Sequence, residues 1–259
     1  MAPHYVEHRA EGLERWAECA WERAAGNGPA VARVIPDGCI DLVWSERGGL
    51  IVAGPNTSAF LSELRPGGVA MGVRLHPGCA PPLLGASAES LRDARVPAAG
   101  LLGSDAQRLA YALGGAPEPG ARRAALVAWL TARAGRAPRP DPLVRVVARR
   151  LAVAPERRVG PLARDLGIGE RQLRRRMVSQ VGYGPKLLGR ILRLRRALAD
   201  ARSGASLAEA AFGAGYADQA HFTDDCRDLA GLPPGGVLSS GQTSVFSKTE
   251  RPPPRTIAA

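Results

Sequence analysis

The chain has 259 residues, 45% of them hydrophobic, and a formal net charge of +11; these values fit a globular protein of one large or two ordinary domains, and we expect two. No apolar run approaches the roughly 20 residues of a membrane-spanning helix, the charged first residues are unlike a signal peptide, and the four cysteines form no CxxC pair, so we expect a reduced, cytoplasmic protein without a membrane partner. The excess charge lies in residues 139–203, which hold 17 Lys and Arg against five Asp and Glu, and this favours a local anion-binding surface over a generally basic protein.

The first half of the chain alternates short apolar runs with turn residues. Residues 12–24 are predicted to form a short helix. The runs VARVI, CIDLVW, LIVAG and VAMGVRL are then separated by PDG, ERGG, GPNTS and RPGG, a composition typical of β-strands joined by turns. Residues 81–135 have helical periodicity. We therefore predict that residues 1–136 form a β-rich, barrel-like mixed domain.

The second half is predicted to be helical throughout. The segment AGRAPRPDP, residues 134–142, has the composition of an interdomain linker. Beyond it, KLLGRILRLRRALADAR keeps one apolar stripe at helical spacing and follows Pro185, a favoured first-turn residue. The fold class is therefore α+β, with an all-α domain at residues 140–240. Residues 241–259 are polar and Pro-rich, and we expect a disordered tail.

An internal repeat organises this helical half. The two copies are LARDLGIGERQLRRRMVSQVGYGP and EAAFGAGYADQAHFTDDCRDLAGLPP, and they match with one extra residue in the turn of the second. Each has a short apolar helix, a glycine (Gly167 or Gly215), and a second helix that begins with polar residues. That order is the helix-turn-helix unit, so we predict two such units joined by a long helix.

The second helix of the first copy carries four arginines. Residues three and four apart share a helix face, so Arg171, Arg174 and Arg175 lie on one side. In a helix-turn-helix unit this helix enters the major groove, and the fork of an arginine matches guanine O6 and N7. A solvated charged face is the simpler alternative, but the repeat favours binding to double-stranded DNA. A basic protein that coats DNA without sequence preference is a further alternative.

Residues 142–238 resemble the DNA-binding domain of AraC-type (AraC/XylS) transcriptional regulators. The resemblance implies a sequence-specific activator or repressor without enzymatic activity, with recognition helices at Glu170–Gln180 and Asp218–Leu229. RNA polymerase becomes a candidate partner. By position, the residues implied to bind DNA are Arg171, Gln172, Arg174, Arg175, Gln219, His221 and Thr223, with Arg195 and Arg196 of the connecting helix as candidates for phosphate contacts.

The sequence departs from the family pattern at three places. Gly169 stands where a serine cap is usual, Asp224 where a basic residue is usual, and Cys226 where a large aromatic is usual. Asp224 and Asp225 would repel phosphates, so the second unit is expected to bind DNA less firmly than the first or to be mainly structural.

The N-terminal segments PDGCIDLVW, VAGP and GVRLHPG are similar to a sensory-type domain found ahead of such modules. The similarity implies a small-molecule effector or a partner, and the candidate effector-binding residues are Asp37, Cys39, Asp41, Arg74 and His76. We predict no cofactor and no metal, because Cys39, His76 and Cys79 lack a fourth ligand. A rival interpretation makes Cys39, oriented by His76, the centre of an alkyl-transfer protein or small enzyme with incidental DNA binding. The sequence leaves monomer and homodimer open.

Overall fold

The computed structural model describes residues 3–239, and the tail predicted to be disordered lies outside them. Strands fill the first part of the chain and helices the second, which confirms the α+β class. The strands are β1 (His4–His8), β2 (Ala17–Ala24), β3 (Ala30–Val34), β4 (Ile40–Ser45), β5 (Gly49–Ala53), β6 (Phe60–Leu64), β7 (Val69–Leu75) and β8 (Arg95–Pro97). The helices are α1 (Ala80–Leu84), α2 (Ala98–Leu102), α3 (Ser104–Gly115), α4 (Pro119–Ala134), α5 (Pro142–Val153), α6 (Val159–Arg164), α7 (Glu170–Val181), α8 (Pro185–Arg202), α9 (Leu207–Gly213), α10 (Gln219–Ala230) and α11 (Pro234–Ser239).

Six strands form one antiparallel sheet in the order β1-β2-β7-β4-β5-β8, and β3 pairs with β6 in a separate two-stranded ribbon. The edge strands β1 and β8 do not pair with each other, so the sheet is open. The prediction of a barrel-like domain was therefore too specific, although the four predicted strands are all present.

The helix predicted for residues 12–24 was wrong, because Ala17–Ala24 forms strand β2. Leu13, Ala17, Ala20 and Ala24 have helical spacing, but β2 lies between β1 and β7 and takes backbone hydrogen bonds from both. Sheet pairing and burial of the strand outweigh a local pattern of this kind.

Helices α3 and α4 cover one face of the sheet. Leu113 and Leu130 from these helices meet Leu42, Met71 and Val73 from the central strands in one buried apolar cluster. This cluster is the core of the N-terminal domain. Helix α4 ends at Ala134, and the segment to Asp141 is irregular, as the linker composition predicted.

The C-terminal domain contains the two predicted helix-turn-helix units, α6–α7 and α9–α10, joined by α8. Gly167 and Gly215 occupy the two turns with φ of +67° and +85°, a left-handed conformation that favours glycine. Phe222 and Cys226 fill the places in α10 that Leu173 and Met177 fill in α7, and all four are fully buried. The two units therefore share their buried core positions as well as the order of their helices. Among the helices of residues 3–239, none is long and apolar enough to cross a membrane.

Candidate nucleic-acid interface

The exposed face of α7 begins at the first turn. Arg171, Gln172, Arg174 and Arg175 are all exposed, while Leu173 is buried and fixes the rotation of the helix. As predicted, no side chain caps the helix at Gly169. The four exposed polar residues project from the end of the helix that a major groove would receive.

The fourth arginine of this helix has a different environment. Arg176 is half-buried, and its Nη1 lies 3.5 Å from Asp141 Oδ2. Asp141 is the N-cap of α5, where Oδ1 accepts a hydrogen bond from the backbone N–H of Leu143 at 2.9 Å. Arg176 thus connects the recognition helix to the end of the linker and does not belong to the exposed face.

Helix α10 has a side-chain cap at its N-terminus and an exposed first turn. The Asp218 carboxylate accepts a hydrogen bond from the backbone N–H of His221 at 2.7 Å, which caps the helix. Gln219 and His221 are exposed, and the His221 ring stands edge-on to Tyr216. The Thr223 hydroxyl donates to the carbonyl of Gln219 at 2.9 Å, so it is partly engaged within the helix.

A buried carboxylate orients α10 on the connecting helix. Asp225 Oδ1 lies 2.6 Å from Arg190 Nη2, and Asp225 Oδ2 lies 3.0 Å from Arg193 Nη2. Burial raises the pKa of Asp225, but the hydrogen bonds from Arg190 and Arg193 outweigh it and hold that pKa below its ordinary value. The expectation that Asp225 faces phosphates was wrong, because its charge is neutralised inside the domain. Asp224 is exposed and forms an ion pair with Arg227 at 3.2 Å.

The sequence reasoning missed the roles of Arg190 and Arg193. A signal was present, because two arginines three apart on α8 face two aspartates three apart on α10, and Arg190 also reaches Asp228 at 3.0 Å. Matched spacing of opposite charges on two helices is typical of paired faces.

The two remaining candidates on α8 diverge. Arg195 Nη1 lies 3.5 Å from the carbonyl oxygen of Asp37, in the PDG turn of the N-terminal domain. Arg196 is exposed. Arg195 is therefore placed at an interdomain contact, whereas Arg196 is accessible to a phosphate.

The N-terminal domain also holds the C-terminal ends of both recognition helices. Near the end of α7, the backbone N–H of Ala88 donates to the Ser179 carbonyl at 2.8 Å, and Arg92 Nη1 donates to the Gly182 carbonyl at 3.2 Å. The same arrangement occurs at α10, where the backbone N–H of Ala59 donates to the Leu229 carbonyl at 2.8 Å and Arg33 Nη1 donates to the Ala230 carbonyl at 3.2 Å. Each recognition helix is therefore anchored at its end and exposed at its start.

Three of the predicted effector-binding residues meet in a buried ion cluster. Arg74 is only 2% exposed, and its Nε lies 3.1 Å from Asp37 Oδ2 and 3.5 Å from Asp41 Oδ1. Arg74 Nη1 donates to Glu7 Oε1 at 3.2 Å, and the Trp21 indole donates to Asp41 at 3.1 Å. Burial raises the pKa of Asp41 to about 7, although the charge of Arg74 opposes this shift. One guanidinium thus lies among three carboxyl groups, and the Asp37 carbonyl of this cluster contacts Arg195 of α8.

The other two predicted effector-binding residues form no hydrogen bond or ion pair with Arg74 in the described part of the chain. His76 Nε2 lies 3.2 Å from the Glu14 carbonyl, and His76 Nδ1 lies 3.8 Å from Glu18 Oε1. Cys39 is buried, and its backbone N–H donates to Asp37 Oδ1 at 2.9 Å. Burial raises the pKa of the Cys39 thiol well above its ordinary value. A thiol that resists ionisation is a poor nucleophile, which speaks against the alkyl-transfer interpretation.

Two different family models match the two halves of the chain. A model described as a helix-turn-helix domain matches residues 162–240. A model described as a domain of unknown function (DUF6597) matches residues 9–97. A comparison with the curated proteins finds no match.

Two solved structures of ToxT from Vibrio cholerae are similar at low identity. The P21 crystal form is 10% identical with a TM-score of 0.48, over 90% of this chain and 97% of that one. ToxT of strain O395 is 10% identical with a TM-score of 0.44, over 85% of this chain and 95% of that one.

The helix-turn-helix match begins within α6 and includes α7, α9 and α10, and it confirms the resemblance of this segment to AraC/XylS-type regulators. The match at residues 162–240 supports a DNA-binding transcription regulator with an AraC-type helix-turn-helix domain. Residues 9–97 match a family whose description states no function.

Proposed function

We propose that the chain reads a specific sequence in double-stranded DNA with both recognition helices, one in each of two successive major grooves. The observation that supports this most directly is the shared arrangement of α7 and α10, which are anchored at their C-terminal ends and exposed at their first turns. The connecting helix α8 has 18 residues and is therefore about 27 Å long. Successive major grooves on one side of DNA lie about 34 Å apart, somewhat more than the length of this helix.

The exposed residues of the two helices have different roles in DNA recognition. In the first unit Arg171, Arg174 and Arg175 read bases, with Gln172 beside them. In the second unit Gln219 and His221 meet base edges, while Thr223 contributes less because its hydroxyl is bonded within the helix. Arg196 contacts phosphate. Arg195 serves the interdomain contact with Asp37 instead.

Residues 1–136 form the regulatory domain and residues 140–240 the DNA-binding domain in this proposal. The regulatory domain holds the ends of both recognition helices by the four hydrogen bonds described above. An effector or a partner that changes this contact would alter the spacing of the two exposed first turns. RNA polymerase is the candidate partner of the DNA-bound protein.

Replacing Arg174 with alanine tests the reading role. Losing one bidentate contact with a base should weaken binding to the preferred duplex by about 1 to 3 kcal/mol and relax the preference at one base pair. The measurement is fluorescence anisotropy with the preferred duplex and its single-base variants, at one fixed salt concentration. Arg176→Ala is the matched control, because it removes the same charge from the same helix at a position paired with Asp141.

The control variant should keep the base preference unchanged. If Arg174→Ala instead weakens binding to every duplex equally, Arg174 contacts a phosphate and the assigned base-reading role is wrong.

A further inference from the structure

A cleft with a volume of 680 Å³ lies between α3, α4 and the first residues of the linker. Leu109, Ala125 and Trp129 provide its apolar lining, and Arg108, Arg133 and Arg136 its positive charge. Small-molecule sites in proteins have volumes of about 300 to 1,000 Å³ and combine an apolar wall with a few polar groups. The cleft is separate from the buried cluster around Arg74 and from both recognition helices.

The charges around this cleft are unbalanced. Among residues 3–239, Asp105 is the one acidic residue in its lining, and it forms an ion pair with Arg108. Arg133 lies over Trp129, 5.5 Å from the ring centroid, and its Nε donates to the Leu83 carbonyl at 2.5 Å. That bond uses one of the five guanidinium N–H groups. Within residues 3–239 the exposed guanidinium of Arg136 has no hydrogen-bond or ion-pair partner.

We propose that this cleft binds an organic anion with a flat apolar body. The apolar part lies against Trp129 and Leu109, and a carboxylate or sulfonate accepts hydrogen bonds from Arg136 and Arg133. A charged acceptor suits this place because bonds from guanidinium to an anionic oxygen are about twice as strong as neutral ones. An uncharged molecule of the same shape would leave the arginines without an acceptor.

A second hollow connects the cleft to the first recognition helix. Its volume is 530 Å³, it shares Pro82 and Pro138 with the first cleft, and it is lined by Arg176 and Gln180 of α7. Arg136 lies in the linker, two residues before Pro138, so an anion bound to it restrains this part of the linker. The linker continues to Asp141, which pairs with Arg176 of α7. The ligand would thereby influence the seating of α7. This regulatory step rests on the proposed function, whereas binding of the anion does not.

The test uses two fluorescent probes that share one skeleton. 8-Anilino-1-naphthalenesulfonate carries a sulfonate, and N-phenyl-1-naphthylamine does not. Titrated into the full-length protein, the sulfonate should saturate a single site at least about tenfold more tightly than the neutral probe. Arg136→Gln should weaken the sulfonate by about fivefold to tenfold, and Ala112→Phe, at an exposed lining position, should block both probes by filling the cleft.

Arg65→Gln is the control, because it removes an equal charge from an exposed arginine outside the cleft. This variant should bind the sulfonate probe with the same affinity as the unaltered chain. Equal affinity for both probes, or sulfonate binding that Arg136→Gln and Ala112→Phe leave unchanged, overturns the proposal. Because neither variant alters a buried residue, thermal unfolding should be unchanged. Failure here leaves DNA binding intact, so it is distinguishable from failure of the proposed function. If the sulfonate binds as expected but leaves DNA affinity unchanged, the site stands and its regulatory step is overturned.

Discussion

Replacing Arg74 with methionine should lower the free energy of unfolding by about 3 to 5 kcal/mol at pH 7.5. The arginine is 2% exposed and lies against the carboxylates of Asp37, Asp41 and Glu7. Methionine replaces its volume but not its charge, so three partly buried carboxylates lose their common cation. The measurement is urea unfolding followed by circular dichroism, with Arg65→Met as an exposed control that should change stability little.

The loss should depend on pH in a defined direction. Burial already raises the pKa of Asp41 and the charge of Arg74 opposes this shift, so without Arg74 the folded pKa of Asp41 lies further above its unfolded value. Groups with raised pKa values lose stability as the pH rises through the interval between the two values. The deficit of the variant should therefore be smaller at pH 5 than at pH 8. An equal deficit at both pH values would show that Arg74 contributes through packing and not through charge.

Replacing Asp225 with alanine should both destabilise the C-terminal domain and remove the contribution of the second unit to DNA reading. The carboxylate is 5% exposed and joins Arg190 to Arg193. Its loss should lower the free energy of unfolding by about 2 to 4 kcal/mol, since Arg190 is partly solvated and the full penalty of a buried pair does not apply. Helix α10 then loses its charged attachment to α8.

Asp224→Ala is the matched control for this variant. Asp224 is the neighbouring aspartate, but it is exposed and pairs with Arg227 at the surface, so its removal should change stability by less than about 0.5 kcal/mol. The pKa of Asp225 is below its ordinary value of 3.8, so its contribution is present at neutral pH and is lost as the pH falls through that lowered pKa. Selected DNA sequences should keep the first block and lose the second in Asp225→Ala. Retention of both blocks would mean that α10 is oriented without Asp225.

The parts of the structure that follow local rules were predictable from the sequence. The spacing of Gly167 and Gly215 in two copies predicted the helix-turn-helix units, because a left-handed turn glycine and two buried apolar positions four residues apart in the following helix are local features. The exposed face of Arg171, Arg174 and Arg175 also follows from helix geometry alone. Strand β2 was missed because its residues fit a helix equally well, and only its position between two other strands decides the outcome.

The contacts between distant segments were not predictable in the same way. The sequence identified Asp37, Asp41 and Arg74 as a group worth attention, but their closure into a buried cluster depends on the pairing of β4 with β7. Arg195 and Asp37 are 158 residues apart in the chain, so their contact depends on how the two domains meet. Such long-range pairings have no periodic signal within a single sequence.

The interdomain contact joins the buried cluster to DNA binding in physical terms. Asp37 takes part in the ion cluster through its carboxylate and contacts α8 through its carbonyl. A disturbance of the cluster would therefore reach the helix that spaces the two recognition helices. Of the residues predicted to bind an effector, Asp37 thus connects the ion cluster to the helix between the two units.

The most direct measurement is selection of DNA by the purified full-length protein from a randomised duplex library at near-physiological salt. The account predicts an enriched motif with two blocks whose centres lie about 10 to 10.5 base pairs apart, one for each recognition helix. Arg174→Ala should alter one position of the first block. Binding that falls steeply with salt and enriches no sequence would contradict the account, because it would show that the arginine face of α7 recognises phosphate charge alone.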